Sequence, residues 1–146
     1  LLYPYRAQVY QYVGDEIVVM WPEKEGLFQL RCIEFFFECK QRMKSKKDYY
    51  NATYGLVPEF KAGLHTGKVT AIEIGQVKMD IAYHGDTVNT AARIQSICNE
   101  LNSDFLVSDY LLSKVELHPK IQINSCGEVV LRGKKEPIGI SSLSLV

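Results

Sequence analysis

Asp15, Asn89 and Arg93 have the types and settings that could support chemistry. Asp15 follows Gly14 between two runs of β-formers, Gln8 to Val13 and Ile17 to Trp21, and Gly-Asp between such runs signals a hairpin. A carboxylate held on a tight turn suits a hard cation such as Mg²⁺, which takes one or two carboxylates plus substrate phosphates. Asp is also an ordinary turn residue, and the dipeptide alone favours that plainer reading. Asn89 and Arg93 lie four apart in a segment of helical character, so they share a face. Arg presents fixed, always-charged donors to phosphate oxygens, and Asn can orient a sugar or hydroxyl. The same spacing also fits an exposed polar face with Asp86 or Thr87 as helix cap.

These side chains need elements to position them. Pro22 stops the second strand. From about Glu25 to Lys47, Leu27, Leu30, Ile33 and Phe37 recur at helical steps. That helix ends in Lys40, Arg42, Lys44, Lys46 and Lys47, which read as a solvated end suited to the helix dipole or as a phosphate- or membrane-binding patch. Tyr49 to Pro58 reads as a loop. Phe60 to His65 and Lys68 to Ile74 read as two strands joined at Thr66-Gly67, with a further strand over Met79 to Tyr83 and a turn at His84-Gly85-Asp86. Thr87 to Cys98 reads as a helix whose apolar face is Val88, Ala91, Ala92 and Ile97. Phe105 to Val107 is a strand, Tyr110 to Val115 a short helix, and Ile121 to Leu131 and Ile138 to Leu145 are closing β segments. This alternation predicts a mixed α/β domain, a sheet covered by helices.

The 146 residues fit one domain, 1–146. Seventeen basic and seventeen acidic residues cancel, so no global field favours nucleic acid or an anionic membrane. An anionic ligand must be met by local charges. Cys32, Cys39, Cys98 and Cys126 form no Cys-x-x-Cys pair and have no histidine at zinc-ligand spacing. They read as free thiols in a reducing cytosol, which predicts a cytoplasmic domain. No apolar run reaches the ~20 residues of a membrane span, and no signal peptide is visible. The chain opens on Leu1-Leu2-Tyr3-Pro4 without Met and reads as part of a longer protein, which could carry an anchor or sensor upstream.

Four segments in order carry a family resemblance. Val9 to Val18 resembles the metal-binding hairpin of class III adenylate and guanylate cyclases. Phe60 to Val69 resembles the next strand pair, Gly85-Asp86-Thr87-Val88-Asn89 through Ala92-Arg93 the family's most recognisable signature, and Leu131-Arg132-Gly133-Lys134 its closing hairpin. The resemblance covers essentially the whole chain. It implies a ferredoxin-like mixed sheet flanked by helices, lacking its first strand, two following helices and a triphosphate-cradling loop. It also implies cyclisation of a nucleoside triphosphate by in-line attack of the 3′-hydroxyl on the α-phosphate.

By the same resemblance, two Mg²⁺ or Mn²⁺ ions per site are held by two aspartates. Asp15 matches the second, and the first lies upstream of Leu1, so the chain alone is expected to be inactive. Asn89 matches the ribose-positioning asparagine and Arg93 the transition-state arginine. Lys134 matches a lysine that reaches the terminal phosphates. Lys61 stands where the family has an arginine, keeping the charge but losing the bidentate fork. The base-reading positions are Gln11 and Ala82, which match neither the Lys with Asp or Thr of adenylate cyclases nor the Glu and Cys of guanylate cyclases. ATP is favoured because most bacterial members make cyclic AMP; GTP is the alternative, and a degenerate nucleotide-binding domain a third. The family works as a head-to-tail dimer, which implies a homodimer in which Asp15 and Lys61 of one subunit face Asn89, Arg93 and Lys134 of the other.

Overall fold

In the computed structural model, residues 2–74, 80–84 and 86–146 are described, with 70–74 and 80–84 given by their backbone alone. The chain divides into two units, residues 1–60 and 61–146.

In the first unit, β1 (Gln8–Val13) and β2 (Glu16–Met20) form the expected antiparallel hairpin. Val13 pairs with Glu16, leaving Gly14 and Asp15 as the two-residue turn, and Gly14 takes a φ of 59°. The left-handed region costs glycine nothing, which is why a glycine opens this turn. Tyr12, Val13 and Ile17 are exposed on this hairpin.

The helix expected over Glu25 to Lys47 breaks in two. α1 (Glu23–Leu27) ends in a short 3₁₀ turn at Phe28–Leu30, where Gln29 and Leu30 both have positive φ, and α2 (Arg31–Ser45) follows. Arg31 clamps the break. Its Nη1 donates to Glu25 Oε2 at 2.7 Å and its guanidinium lies 4.7 Å from the Phe28 ring centroid. Periodicity continued across the break, but it carries no signal for two left-handed residues. α2 buries Cys32, Ile33, Phe36 and Phe37. Tyr5 and Trp21 each make a T-shaped contact with Phe35, and Trp21 Nε1 donates to the Tyr5 carbonyl at 2.8 Å.

Tyr49 to Tyr54, expected as loop, is helical: α3 spans Lys47–Tyr54. The stop signal is Gly55, which takes φ 73° and donates its N–H to the Asn51 carbonyl, a left-handed helix terminus. Tyr50 and Tyr54 stack along α3.

The second unit holds β3 (Ala62–Leu64), β4 (Thr70–Ile74), β5 (Asp80–His84), α4 (Asp86–Ser96), β6 (Phe105–Ser108), α5 (Asp109–Leu112), β7 (Ile121–Val129) and β8 (Ile138–Leu145). The main sheet runs β3-β6-β8-β7. β3 and β6 are parallel, and β8 is antiparallel to both β6 and β7. β3 therefore does not pair with the strand after Thr66-Gly67, as the sequence suggested. β4 pairs with β5 instead, and the crossover through α4 returns the chain as a parallel partner for β3. The result is a mixed α+β fold.

α4 packs on β3 and β6. The approach is close because Gly63 has no side chain; a Cβ there would lie 2.6 Å from the Ala91 carbonyl oxygen. Ile94, Cys98, Leu106, Leu131 and Ile140 form the core beneath. The buried face of α4 is Thr90 and Ile94, with Ala91 against Gly63 and Ile97 against the core. Ala92, assigned to the apolar face, is exposed: Gly63 draws the helix in along its Ala91 side, turning Ala92 outward. All four cysteines are free, and burial pushes the Cys32 thiol up to about 12 and the Cys98 thiol up to about 11. Among the described residues no helix is long and apolar enough to cross a membrane.

Candidate active site

The first turns of α4 and the turn after β7 come together. Thr87 Oγ1 donates to the Lys68 carbonyl at 2.8 Å, and the close approach of Gly67 to Thr87 permits that bond. This fixes the start of α4. With Thr90 and Ile94 buried, Asn89 is exposed and Arg93 half-buried on the neighbouring stripe. The expected shared face of Asn89 and Arg93 thus exists and lies beside the helix contact with the sheet.

Leu131 to Lys134 forms a turn closed by the Lys134 N–H on the Leu131 carbonyl at 3.0 Å. Gly133 takes φ 78°, and the Arg93 guanidinium lies against it: a Cβ at Gly133 would come within 3.2 Å of Arg93 Nη2. One residue on, Lys134 Nζ forms an ion pair with Asp86 at the start of α4. Arg93 and Lys134, chosen on separate motifs, therefore meet the same turn. Two cations there can receive a polyanion.

Gly133→Ala is an expected test of this contact. The left-handed backbone costs a non-glycine residue about 1–2 kcal/mol, and the added methyl would press on the guanidinium. Thermal unfolding should show the stability loss.

Beside the turn, His65 Nδ1 and Ser108 Oγ share a hydrogen bond at 2.7 Å. Ser108 also caps α5, accepting from the Leu111 N–H. Burial, and then the Lys134 charge, hold the His65 pKa below its ordinary value, which favours a neutral ring at pH 7. His65, Tyr110, Lys134, Lys135, Glu136 and Pro137 line an open hollow of about 470 Å³. Sequence reasoning left His65 unassigned and weighed Asp86 only as a cap. His65 lies within the Phe60 to Val69 segment already singled out, whereas nothing local marked the pairing of Asp86, because its partner lies 48 residues away.

The other expected site residues lie elsewhere. Lys61 Nζ donates to Asn99 Oδ1, just past the C-terminus of α4. Lys61 is thus tied to the end of α4 opposite the one that holds the Asp86–Lys134 pair. Gln11 is exposed on β1 and Asp15 on the hairpin turn, both in the first unit. Ala82 lies on β5 opposite Ile72, and its side chain is outside the described residues.

Asp15 suits a hard cation in kind, as an exposed oxygen ligand on a defined turn. It does not suffice in number. Among the described residues no three His, Cys, Asp or Glu side chains group as metal ligands.

Known proteins resemble the chain in sequence and in fold. The family model for the adenylate and guanylate cyclase catalytic domain matches residues 16–140. The chain is 33% identical over 140 residues to adenylate cyclase 2 of Rhizobium meliloti (strain 1021), covering 96% of this chain and 39% of that protein. Among solved structures, the adenylyl cyclase CyaB from P. aeruginosa superposes with a TM-score of 0.76 at 21% identity, over 99% of this chain and 75% of that one. The guanylyl cyclase Cya2 superposes with a TM-score of 0.79 at 21% identity, over 99% and 73%. At such identity these structures speak to fold, and they include cyclases named for either base. The matched residues run through both units, and this chain belongs to the adenylate and guanylate cyclase catalytic domain family, a family of phosphorus–oxygen lyases.

Proposed function

We propose that the chain is most of one catalytic domain of a homodimeric adenylate cyclase, which converts ATP to 3′,5′-cyclic AMP and pyrophosphate. The observation that carries this is the meeting of Arg93 and Lys134 at the Gly133 turn. In this reading Asn89 orients the ribose, so that the 3′-hydroxyl is in line with the α-phosphate. Arg93 meets the charge that builds on the α-phosphoryl oxygens, and Lys134 binds the terminal phosphates, which leave as pyrophosphate. The dimer brings Asp15 and Lys61 of one subunit to face Asn89, Arg93 and Lys134 of the other.

Asp15 supplies one carboxylate of a Mg²⁺ or Mn²⁺ site, and a strand upstream of Leu1 supplies the second. When bound, the metals would lower the pKa of the 3′-hydroxyl and neutralise phosphate charge.

ATP as substrate rests on the naming of the Rhizobium relative, of which the chain spans about two fifths. Gln11 can donate or accept and so leaves the base open. Side-by-side assays of the complete domain with ATP and GTP should give cyclic AMP as the major product. Predominance of cyclic GMP would transfer the assignment to the guanylate cyclases.

A further inference from the structure

We propose that Asp86 is a positioning residue for this site: its carboxylate holds the Lys134 ammonium where the terminal phosphates arrive. The inference rests on the reading of Lys134 as a phosphate ligand.

Lys134 sits on a four-carbon stem and is a point charge without fixed direction. Its main chain is held by the Leu131–Lys134 turn, but that does not aim the ammonium. Asp86 does so by pairing with it across 48 residues. Asp86 is itself well anchored. It is the first residue of α4, where a negative charge suits the helix dipole, and Thr87 beside it is bonded to Lys68. An ammonium has three donors. One is used by Asp86, and two remain for phosphate oxygens.

The exposure of the pair argues for orientation over stability. The Asp86 side chain is 69% exposed and that of Lys134 24%. A pair whose carboxylate is so exposed contributes little to folding. It can still restrict a lysine to one direction, and the same turn carries Gly133, against which Arg93 lies. Asp86 thus links α4 to the turn on its phosphate-facing side, acting on substrate only through Lys134.

The test uses the complete homodimeric domain with ATP as varied substrate. Asp86→Asn should raise KM about two- to fivefold, the range an exposed pair can supply, with kcat within about twofold of wild type. Asp86→Glu should restore most of the loss. Lys134→Ala should raise KM further, and in that background Asp86→Asn should add nothing, because the two act as one unit. A fall in KM on Asp86→Asn would overturn the inference, since the carboxylate would then be competing with phosphate. Equal losses with and without Lys134 would also overturn it, as helix capping alone. Both outcomes leave the role of Lys134 standing. An unchanged KM in Lys134→Ala removes the role of Lys134 and the inference together.

Discussion

Arg93→Ala in the complete catalytic domain is expected to lower kcat on the order of 10²-fold or more, with KM for ATP changed by a few-fold at most. The size follows from how the guanidinium is held. Thr90 and Ile94 are fully buried and fix the face of α4 that carries Arg93. At its tip the side chain rests against Gly133, where even a methyl group would crowd it. A donor already in place stabilises charge in the transition state without reorganising, and loss of one such donor typically costs 10²–10³-fold in rate. Arg93→Lys should recover little of this, because an ammonium lacks the planar fork. Initial rates of cyclic AMP formation, with thermal unfolding as a control for the fold, measure the effect. Unchanged turnover in Arg93→Ala would remove Arg93 from the site.

Much of this arrangement could be read from residue types, and its failures have physical causes. Gly14-Asp15 specified its hairpin because a two-residue turn with positive φ has few sequence solutions. β8 was found at its observed boundaries, Ile138–Leu145. The break at Phe28–Leu30 was missed because Gln29 and Leu30 adopt positive φ without glycine, held by the Arg31–Glu25 pair and Phe28. α3 was missed although Gly55 marked its end, since the tyrosines suggested no apolar face. The partner of β3 was missed for another reason. Parallel pairing across a crossover depends on tertiary packing, here Gly63 against Ala91, and leaves no local trace. Arg93 and Lys134, singled out on separate motifs, do meet at the Gly133 turn. The Asp86–Lys134 pair was not legible, since a contact 48 residues apart is visible only in the fold.

Asp15→Asn should nearly abolish activity of the complete domain while preserving its hairpin. Asn is at least as suited to a tight turn as Asp, so the substitution removes charge and little else. Metal-assisted stabilisation is worth several kcal/mol, which places the loss at about 10²-fold or more. Added Mn²⁺ should recover part of it if the remaining ligands still bind. A mixing experiment separates a shared site from a self-contained one. If Asp15 and Arg93 of one site come from different subunits, a heterodimer of Asp15→Asn with Arg93→Ala keeps one site wholly intact and carries both lesions in the other. Random assembly from equal amounts makes half the dimers mixed, so about one quarter of wild-type activity should return. If both residues served one site from the same chain, every site would carry a lesion and mixing would restore nothing. Two nearly inactive proteins that become active together would therefore establish both the role of Asp15 and the two-subunit construction of the site.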